Sequence, residues 1–282
     1  MTGQLNAGVL YVVATPIGHL GDLSRRAEEV LKQVQILAAE DTRRTRVLLD
    51  HIDHRVPELV SLHEHNERNV AAKLVAKLQQ GLDVAVVSDA GTPLVNDPGY
   101  LLVQAAHAAG IKTVPIPGPC AITTALSVCP LPCHPFRYVG FLPTKSSARR
   151  KLLEDWLAAP DALVFLEAPH RILDTLADLA SVTRRRVMLG RELTKKFETL
   201  LVGTPSELRM QLGDHPKGEF TGILEALPPQ ATGHYAQADA QKILRALLQE
   251  LPPAKAAKIA ATICEAKKSD MYALALTLTN QQ

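Results

Sequence analysis

Leu82-Asp83-Val84-Ala85-Val86-Val87-Ser88-Asp89-Ala90-Gly91-Thr92-Pro93-Leu94-Val95-Asn96-Asp97-Pro98-Gly99 decides the fold. Its first six residues are short-run, β-branched and almost wholly apolar, the pattern of a strand buried on both faces of a parallel sheet. From Gly99 to Ala106 the apolar residues fall at helical spacing. Ser88 to Gly99 is therefore a long loop at the carboxyl end of a strand, where open α/β sheets bind ligands. A turn alone needs only two or three residues, so a binding role is expected of the whole loop. Its glycines and small side chains let backbone approach a ligand, with Asp89, Thr92 and Asp97 as polar contacts. For Asp97 alone, capping of the following helix is the preferred expectation.

Working outward, strands are predicted at 8–14, 35–39, around 60–62 and at 112–116, alternating with helices at 25–34, through Val47–Leu49, at 70–80 and at 120–128. This alternation predicts a parallel sheet covered on both faces. Pro130, Pro132 and Pro135 read as an interdomain connection. A second α/β unit follows, with strands at 138–142, 162–166 and 186–190, and with 199–203 and 220–225 as further, antiparallel candidates. Residues 228–233 read as a linker, and the last 45 or so carry a helical pattern. The expected division is 1–132, 133–229 and 230–282.

The chain has 282 residues, 46% of them hydrophobic, and a formal net charge of +2, so any nucleic-acid surface must be a local patch. It has no run of apolar residues long enough to span a bilayer, and the opening residues lack a signal-peptide pattern, so a cytoplasmic location is expected. Cys120, Cys129, Cys133 and Cys264 are expected to be reduced thiols. Cys129 and Cys133 with His134, and His63 with His65, lack companion ligands at metal-site spacing, so no metal is expected. For the two histidines, hydrogen bonding at a helix entry is the preferred expectation.

Gly/Pro-rich loops at 15–22, 88–99, 117–119 and 140–143 all follow predicted strands. Converging at one sheet edge, they would form a cleft suited to a flat, nucleoside-like cofactor. The first loop has only Gly18 and Gly21, not the spacing of a dinucleotide fingerprint, and no phosphate-loop motif is present. Hydride transfer and nucleotide hydrolysis are disfavoured.

Thr15-Pro16-Ile17-Gly18-His19-Leu20-Gly21-Asp22, Ala39-Glu40-Asp41-Thr42-Arg43, His63-Glu64-His65-Asn66-Glu67, Ser88 to Pro93, Asp97-Pro98-Gly99, Pro117-Gly118-Pro119, Phe141-Leu142-Pro143, Glu167 to Arg171 and Arg191 to Lys195 occur in that order. Together these blocks resemble the small-subunit ribosomal RNA cytidine 2′-O-methyltransferases (the RsmI family) of the tetrapyrrole-methylase superfamily, over about residues 8–227. The tail resembles that family's helical C-terminal domain. The resemblance implies S-adenosylmethionine in a cleft between two α/β domains, the first with a mostly parallel and the second with a mixed sheet, usually in a homodimer. By the superfamily's pattern, Pro16, Ser88, Asp89, Ala90, Gly91, Thr92, Pro117, Gly118, Ala121, Phe141, Leu142, Ala168 and Thr221 would contact the cofactor. Cys120 stands where the superfamily commonly has Ser, and a thiol hydrogen-bonds poorly.

Methyl transfer to a ribose 2′-hydroxyl needs a base to receive the proton. Glu167 and Glu192, each at a predicted strand end, are the candidates; ion pairing with Arg171, Arg191 or Lys195 is the competing expectation. Substrate RNA contacts are expected from Arg43, Lys145, Arg149, Arg150, Lys151 and Lys195, against the simpler reading of a solvated basic surface. The partner is then small-subunit rRNA or the 30S subunit. Two segments of the tail, 254–260 and 267–272, read as helices joined by a turn, serving either RNA binding or packing. Methylation of a tetrapyrrole carbon and a non-catalytic assembly factor are the alternative functions; the basic stretches and the tail argue against the first.

Overall fold

The computed structural model describes residues 7–157, 159–227, 237–264 and 266–279. The predicted linker at 228–233 and the first six residues lie outside them. The chain divides into two compact units, Met1–Ala226 and Leu227–Gln282.

The larger unit opens with β1 (Leu10–Val13), α1 (Arg25–Gln33), β2 (Ile36–Ala39), α2 (Thr42–His51), β3 (Glu58–Ser61), α3 (Glu67–Gln79), β4 (Val84–Val87), α4 (Tyr100–Ala108), β5 (Thr113–Ile116) and α5 (Ala121–Ser127). The five strands form one wholly parallel sheet in the order β3-β2-β4-β1-β5. Alternation within the apolar strands decides the two faces. Leu37, Ala39, Ala85 and Val87 pack under Leu31 of α1 and Leu48 and Leu49 of α2. Ile36, Ala38, Val84 and Val86 pack under Leu74 and Leu78 of α3 and Leu102 of α4. Each fully buried leucine of these layers contributes roughly 1.5–3 kcal/mol.

Adjacent strands β1 and β4 send their connections to opposite faces, α1 to one and α4 to the other. A crevice opens beyond the carboxyl ends of two such strands. The loops leaving them are tied directly: Thr15 and Gly91 exchange backbone hydrogen bonds of 2.9 and 3.0 Å.

The second sheet is built from β6 (Phe136–Phe141), β7 (Ala162–Glu167), β8 (Val187–Arg191), β9 (Thr199–Gly203) and β10 (Phe220–Leu224), in the order β6-β7-β10-β8-β9. Only β6 and β7 run parallel; the other pairs are antiparallel, so the sheet is mixed as expected. One face is covered by α6 (Ser146–Leu157), α7 (Ile172–Val182) and α8 (Pro205–Leu212). Val164, Met188 and Ile223 on the other face pack with Ala125 of α5, and Ile17 and Ile122 join them. This shared layer holds the two sheets together inside one compact unit.

α8 is not among the elements expected from apolar spacing. Its start was nonetheless marked: Thr204 and Glu207 form a reciprocal capping box, with Pro205 in the first turn. Among its described residues the smaller unit has three helices, α9 (Gln237–Glu250), α10 (Pro253–Ile263) and α11 (Lys268–Thr279), packed around Leu244, Ala256, Ala260 and Met271. The two tail segments singled out in the sequence fall on α10 and α11.

Candidate active site

A cavity of about 480 Å³ lies at the carboxyl edge of the first sheet, roofed by the second. Asp89 to Thr92 and Val95 to Asp97 from the loop after β4 form one wall. Cys120, Ala121 and Ile122 at the start of α5 form another, with Glu40 after β2 and Ile17 after β1. The second sheet supplies Tyr138 and Phe141 of β6, the end of β7 through His170, and Glu219 to Thr221. A smaller cavity of about 220 Å³, bounded by Pro16, Gly18, Arg44, Ser88 and Lys195, shares Ile17, Asp89, Ala90 and Glu219 with it.

Of the residues expected to contact a cofactor, Asp89, Ala90, Gly91, Thr92, Ala121, Phe141, Ala168 and Thr221 line the larger cavity. Pro16 and Ser88 line the smaller. Pro117 and Gly118 are exposed and line neither, and Leu142 is a 2% exposed member of the second sheet's core. These three depart from the expectation. The turn holding Pro117 and Gly118 instead braces the wall: Thr92 Oγ1 donates to Pro119 O at 3.1 Å.

Five acidic residues line this cavity, and three of them, Glu40, Asp89 and Asp97, come from loops of the first sheet. Asp89 Oδ1 accepts from the Asp41 backbone N–H at 2.8 Å and Oδ2 pairs with Arg44 at 3.4 Å, linking the loops after β2 and β4. Glu40 accepts from Asp89 N at 3.4 Å, and burial with the nearby Asp89 charge raises its carboxyl above the usual range. Asp97 is pushed up to about 6, first by burial and then by the Glu40 charge, with a Ser88 hydrogen bond offsetting part of the shift.

Asp97 does not cap α4. The N-cap is Gly99, at φ 126°, and the carboxylate that receives the first amides comes from α3. Glu67 Oε1 accepts from Gly99 N at 2.9 Å and from Leu101 N at 2.7 Å, leaving Asp97 to the cavity. The loop around it is held in a costly conformation, with Leu94 at φ 69° and Asn96 at φ 68°. Asn96 is fixed from the second sheet, where Tyr138 OH donates to its Oδ1 at 2.7 Å. A β-bulge after Tyr138 puts Gly140 at φ 66°, and a Cβ there would lie 2.8 Å from Asn96 Nδ2. Only glycine suits that close approach.

Glu167 lines the cavity but its carboxylate is fully engaged. Thr175 Oγ1 donates at 2.6 Å, Ala168 N at 3.0 Å, and Arg171 Nε stands 3.2 Å away. Arg171 in turn donates to Leu142 O, so this acid organises the β7–α7 junction. Glu192 lies outside both cavities. It accepts from Glu219 N at 2.9 Å and pairs with Lys195 at 2.9 Å, contacts that hold its carboxyl below the usual range. The competing expectation, ion pairing, describes both acids.

The basic residues separate in the same way. Arg149 is 2% exposed, bound to Asp178 at 2.6 Å and donating to Pro143 O at 3.0 Å, so it is not available to RNA. One turn of α6 sends Arg149 inward while Arg150 and Lys151 stay exposed, as does Lys145. Arg185 is likewise 7% exposed and donates to the carbonyls of Leu157, Ala159 and Asp161. Arg43 is exposed and forks onto Asp41, whose carboxyl it holds at about 2. Lys195 borders the smaller cavity, where it also pairs with Glu219 at 2.9 Å. Close approach of the first loop to this segment needs Gly18: a Cβ there would lie 2.5 Å from Lys195 Cγ.

No cluster of three or more potential metal ligands occurs among the described residues. Among them, no helix is long and apolar enough to cross a membrane. Glu40, Asn96 and Tyr138 are wall residues beyond those expected from the sequence. Glu40 was findable, since it directly follows a wholly buried strand.

Comparison with known proteins places this architecture. The tetrapyrrole (corrin/porphyrin) methylases profile matches residues 9–209, and that of the RsmI C-terminal HTH domain matches residues 236–279. The ribosomal RNA small subunit methyltransferase I of Escherichia coli O157:H7 is 48% identical over 279 residues, covering 95% of each chain. The protein of that name from Pseudomonas aeruginosa is 44% identical over 277 residues, covering 96% of this chain and 98% of its own. A crystal structure of uroporphyrin-III C-methyltransferase from Thermus thermophilus complexed with S-adenyl homocysteine shares the fold, with TM-score 0.56 and 16% identity over 77% of this chain and 98% of that one. The chain belongs to the tetrapyrrole methylases and, within them, to the ribosomal RNA small subunit methyltransferase I family.

Proposed function

We propose that the protein transfers the methyl group of S-adenosylmethionine to the 2′-hydroxyl of a cytidine ribose in small-subunit ribosomal RNA. The observation that carries the donor is the charge of the cavity: Glu40, Asp89 and Asp97 meet at a largely apolar wall with Arg44 as the nearby cation. A volume of about 480 Å³ lies in the usual range for small-ligand sites. An excess of carboxylates beside Ile17, Ile122, Tyr138 and Phe141 suits a ligand that is cationic at one end and flat and apolar at the other. S-adenosylmethionine fits that description, and when bound it supplies an electrophilic methyl group on a positively charged sulfur.

The chain's own residues then position and select. Backbone of Ala90 and Gly91 approaches the ligand without side-chain bulk, Asp89 faces its cationic end, and Ala121, Ala168 and Thr221 bound the remainder. Most of the rate comes from holding donor and acceptor in line. Arg43, Lys145, Arg150, Lys151 and Lys195 supply basic contacts for RNA phosphates. The relatives' common name supports small-subunit ribosomal RNA as the substrate, and the ribose acceptor rests on the resemblance of the sequence blocks to the family. In this reading residues 1–132 and 133–229 are the two lobes of a cytoplasmic homodimer's protomer, and 230–282 an accessory helical domain.

The test is direct. Calorimetric titration with S-adenosylmethionine is expected to give saturable binding, and labelled methyl is expected on the ribose of small-subunit RNA. No binding at millimolar donor, or label entering only porphyrinogens, contradicts the proposal.

A further inference from the structure

We propose that Glu219 is the catalytic base, the group that receives the proton of the attacking ribose hydroxyl, and that the smaller cavity beside it seats the acceptor nucleotide. The inference rests on the methyl-transfer reading above and supplies its acceptor side. In the step, the hydroxyl oxygen forms its bond to the methyl carbon as that carbon's bond to sulfur breaks, the electron pair stays on sulfur, and the proton passes to the Glu219 carboxylate. Sulfonium and carboxylate become thioether and carboxylic acid, so charge balances.

Donor and acceptor must meet where their cavities join. The two cavities share Ile17, Asp89, Ala90 and Glu219, so Asp89 and Glu219 are the acids at the junction. Asp89 is divided between the Asp41 amide and Arg44, both on the first sheet's side. Glu219 immediately precedes β10 of the second sheet. Its Oε2 pairs with Lys195 at 2.9 Å, and its Oε1 has no hydrogen-bond partner among the described residues. The other acids of the larger cavity do not border the smaller one. At about 220 Å³ the smaller cavity falls below the roughly 300–1,000 Å³ of drug-sized ligand sites, and it suits part of one nucleotide better than a macrocycle. Arg44 and Lys195 line it and supply the cations that a nucleotide's phosphate requires.

The backbone of Glu219 is clamped in this place by Glu192. Glu192 Oε1 accepts from Glu219 N at 2.9 Å, and Glu192 N donates to Glu219 O at 3.0 Å. Glu192, at a strand end but outside both cavities, is thus a positioning residue. The clamp is strained: Glu192 stands at φ 52° and Thr194 at φ 63°. Gly218, at φ 90°, lies so close that a Cβ there would collide with Glu192 Cγ. Thr194 Oγ1 accepts from His19 N at 3.1 Å, tying the same turn to the loop after β1. Strained backbone that serves to hold an exposed carboxylate at a cavity junction marks a functional rather than a packing role. Lys195 couples the base to RNA, because a phosphate that draws on its ammonium frees the Glu219 carboxylate for the proton.

The test uses the full-length protein, S-adenosylmethionine and isolated small ribosomal subunits under single turnover, with Glu219→Gln, Glu192→Ala and the double variant beside wild type. At saturating subunits Glu219→Gln is expected to slow transfer roughly 10²–10⁴-fold, with affinity for donor and for subunits each within about threefold of wild type. Glu192→Ala is expected to slow transfer roughly tenfold or more, and to add almost nothing in the Glu219→Gln background, where there is no base left to position. Transfer by Glu219→Gln within about threefold of wild type, a rate loss matched by lost donor or subunit affinity, or a full additional loss from Glu192→Ala in the double variant would each overturn the assignment. Wild type that binds donor but leaves the ribose unmethylated sinks the reading on which it rests, and the inference with it.

Discussion

The loops after β4 and β7 close the same cavity, and each presents an acid to it. They treat those acids in opposite ways. Glu167, 1% exposed, has its oxygens taken by a hydroxyl, an amide and a guanidinium, all within its own β7–α7 junction. Asp97 has no such set, and the capping work beside it falls to Glu67 from a different helix. Burial therefore does not distinguish structure from chemistry. What distinguishes them is whether the polar group's requirements are met locally.

The sharpest way to break this comparison lies at Arg149, whose pairing is as complete as that of Glu167. Asp178→Ala leaves its guanidinium buried without an anion, and a loss of about 3–5 kcal/mol is expected. Urea unfolding followed by Trp156, the chain's single tryptophan, reports it, because that residue packs against the second sheet's core. A loss below about 1 kcal/mol would reduce the pair to an ordinary surface contact. Glu167→Gln is expected to cost about 2–3 kcal/mol by the same probe and to leave methyl transfer within about tenfold of wild type. A collapse of rate without loss of stability would move the chemistry to Glu167. Glu67→Ala is expected to cost about 1–2 kcal/mol and to speed hydrogen exchange at the Gly99 and Leu101 amides. Unchanged exchange there would show that the α4 start does not depend on it.

The smallest effect has an opposite sign. Asp97 is raised in the fold from 3.8 to about 6, so folding favours its protonated form. That contribution is fully present below about pH 4 and is lost as pH rises through about 6. Asp97→Asn, which carries no charge at either limit, is expected to gain about 1 kcal/mol over wild type near pH 8 after allowance for solvent screening, and almost nothing near pH 4. Equal stability across that range would mean the carboxylate is adequately solvated.

The same contrast explains how much was legible in the sequence. Runs such as Val84-Ala85-Val86-Val87, apolar on both faces and followed by glycine and proline, identify buried parallel strands and the loops at their ends. The eight contacts that line one cavity are implied by the family resemblance, and the strand pattern marks only the loops at the sheet's edge. Partnerships between distant segments leave no local mark. Nothing in Asp97-Pro98-Gly99 shows that Glu67, some thirty residues earlier, already caps the helix. Arg149-Arg150-Lys151 reads as one basic run, yet helical geometry sends its first member inward to Asp178. Glu167 and Glu192 occupy strand ends, as a base would, and only their neighbours reveal that both are taken.

The account is tested most directly by measuring S-adenosylmethionine affinity and single-turnover methyl transfer to small ribosomal subunits with Glu167→Gln and Asp97→Asn side by side, each with its unfolding free energy. The prediction is a crossed result: Glu167→Gln less stable but still able to bind donor and transfer methyl, Asp97→Asn stable but weakened roughly 10–100-fold in donor affinity. Equal loss of transfer in both, or loss in Glu167→Gln alone, would contradict it.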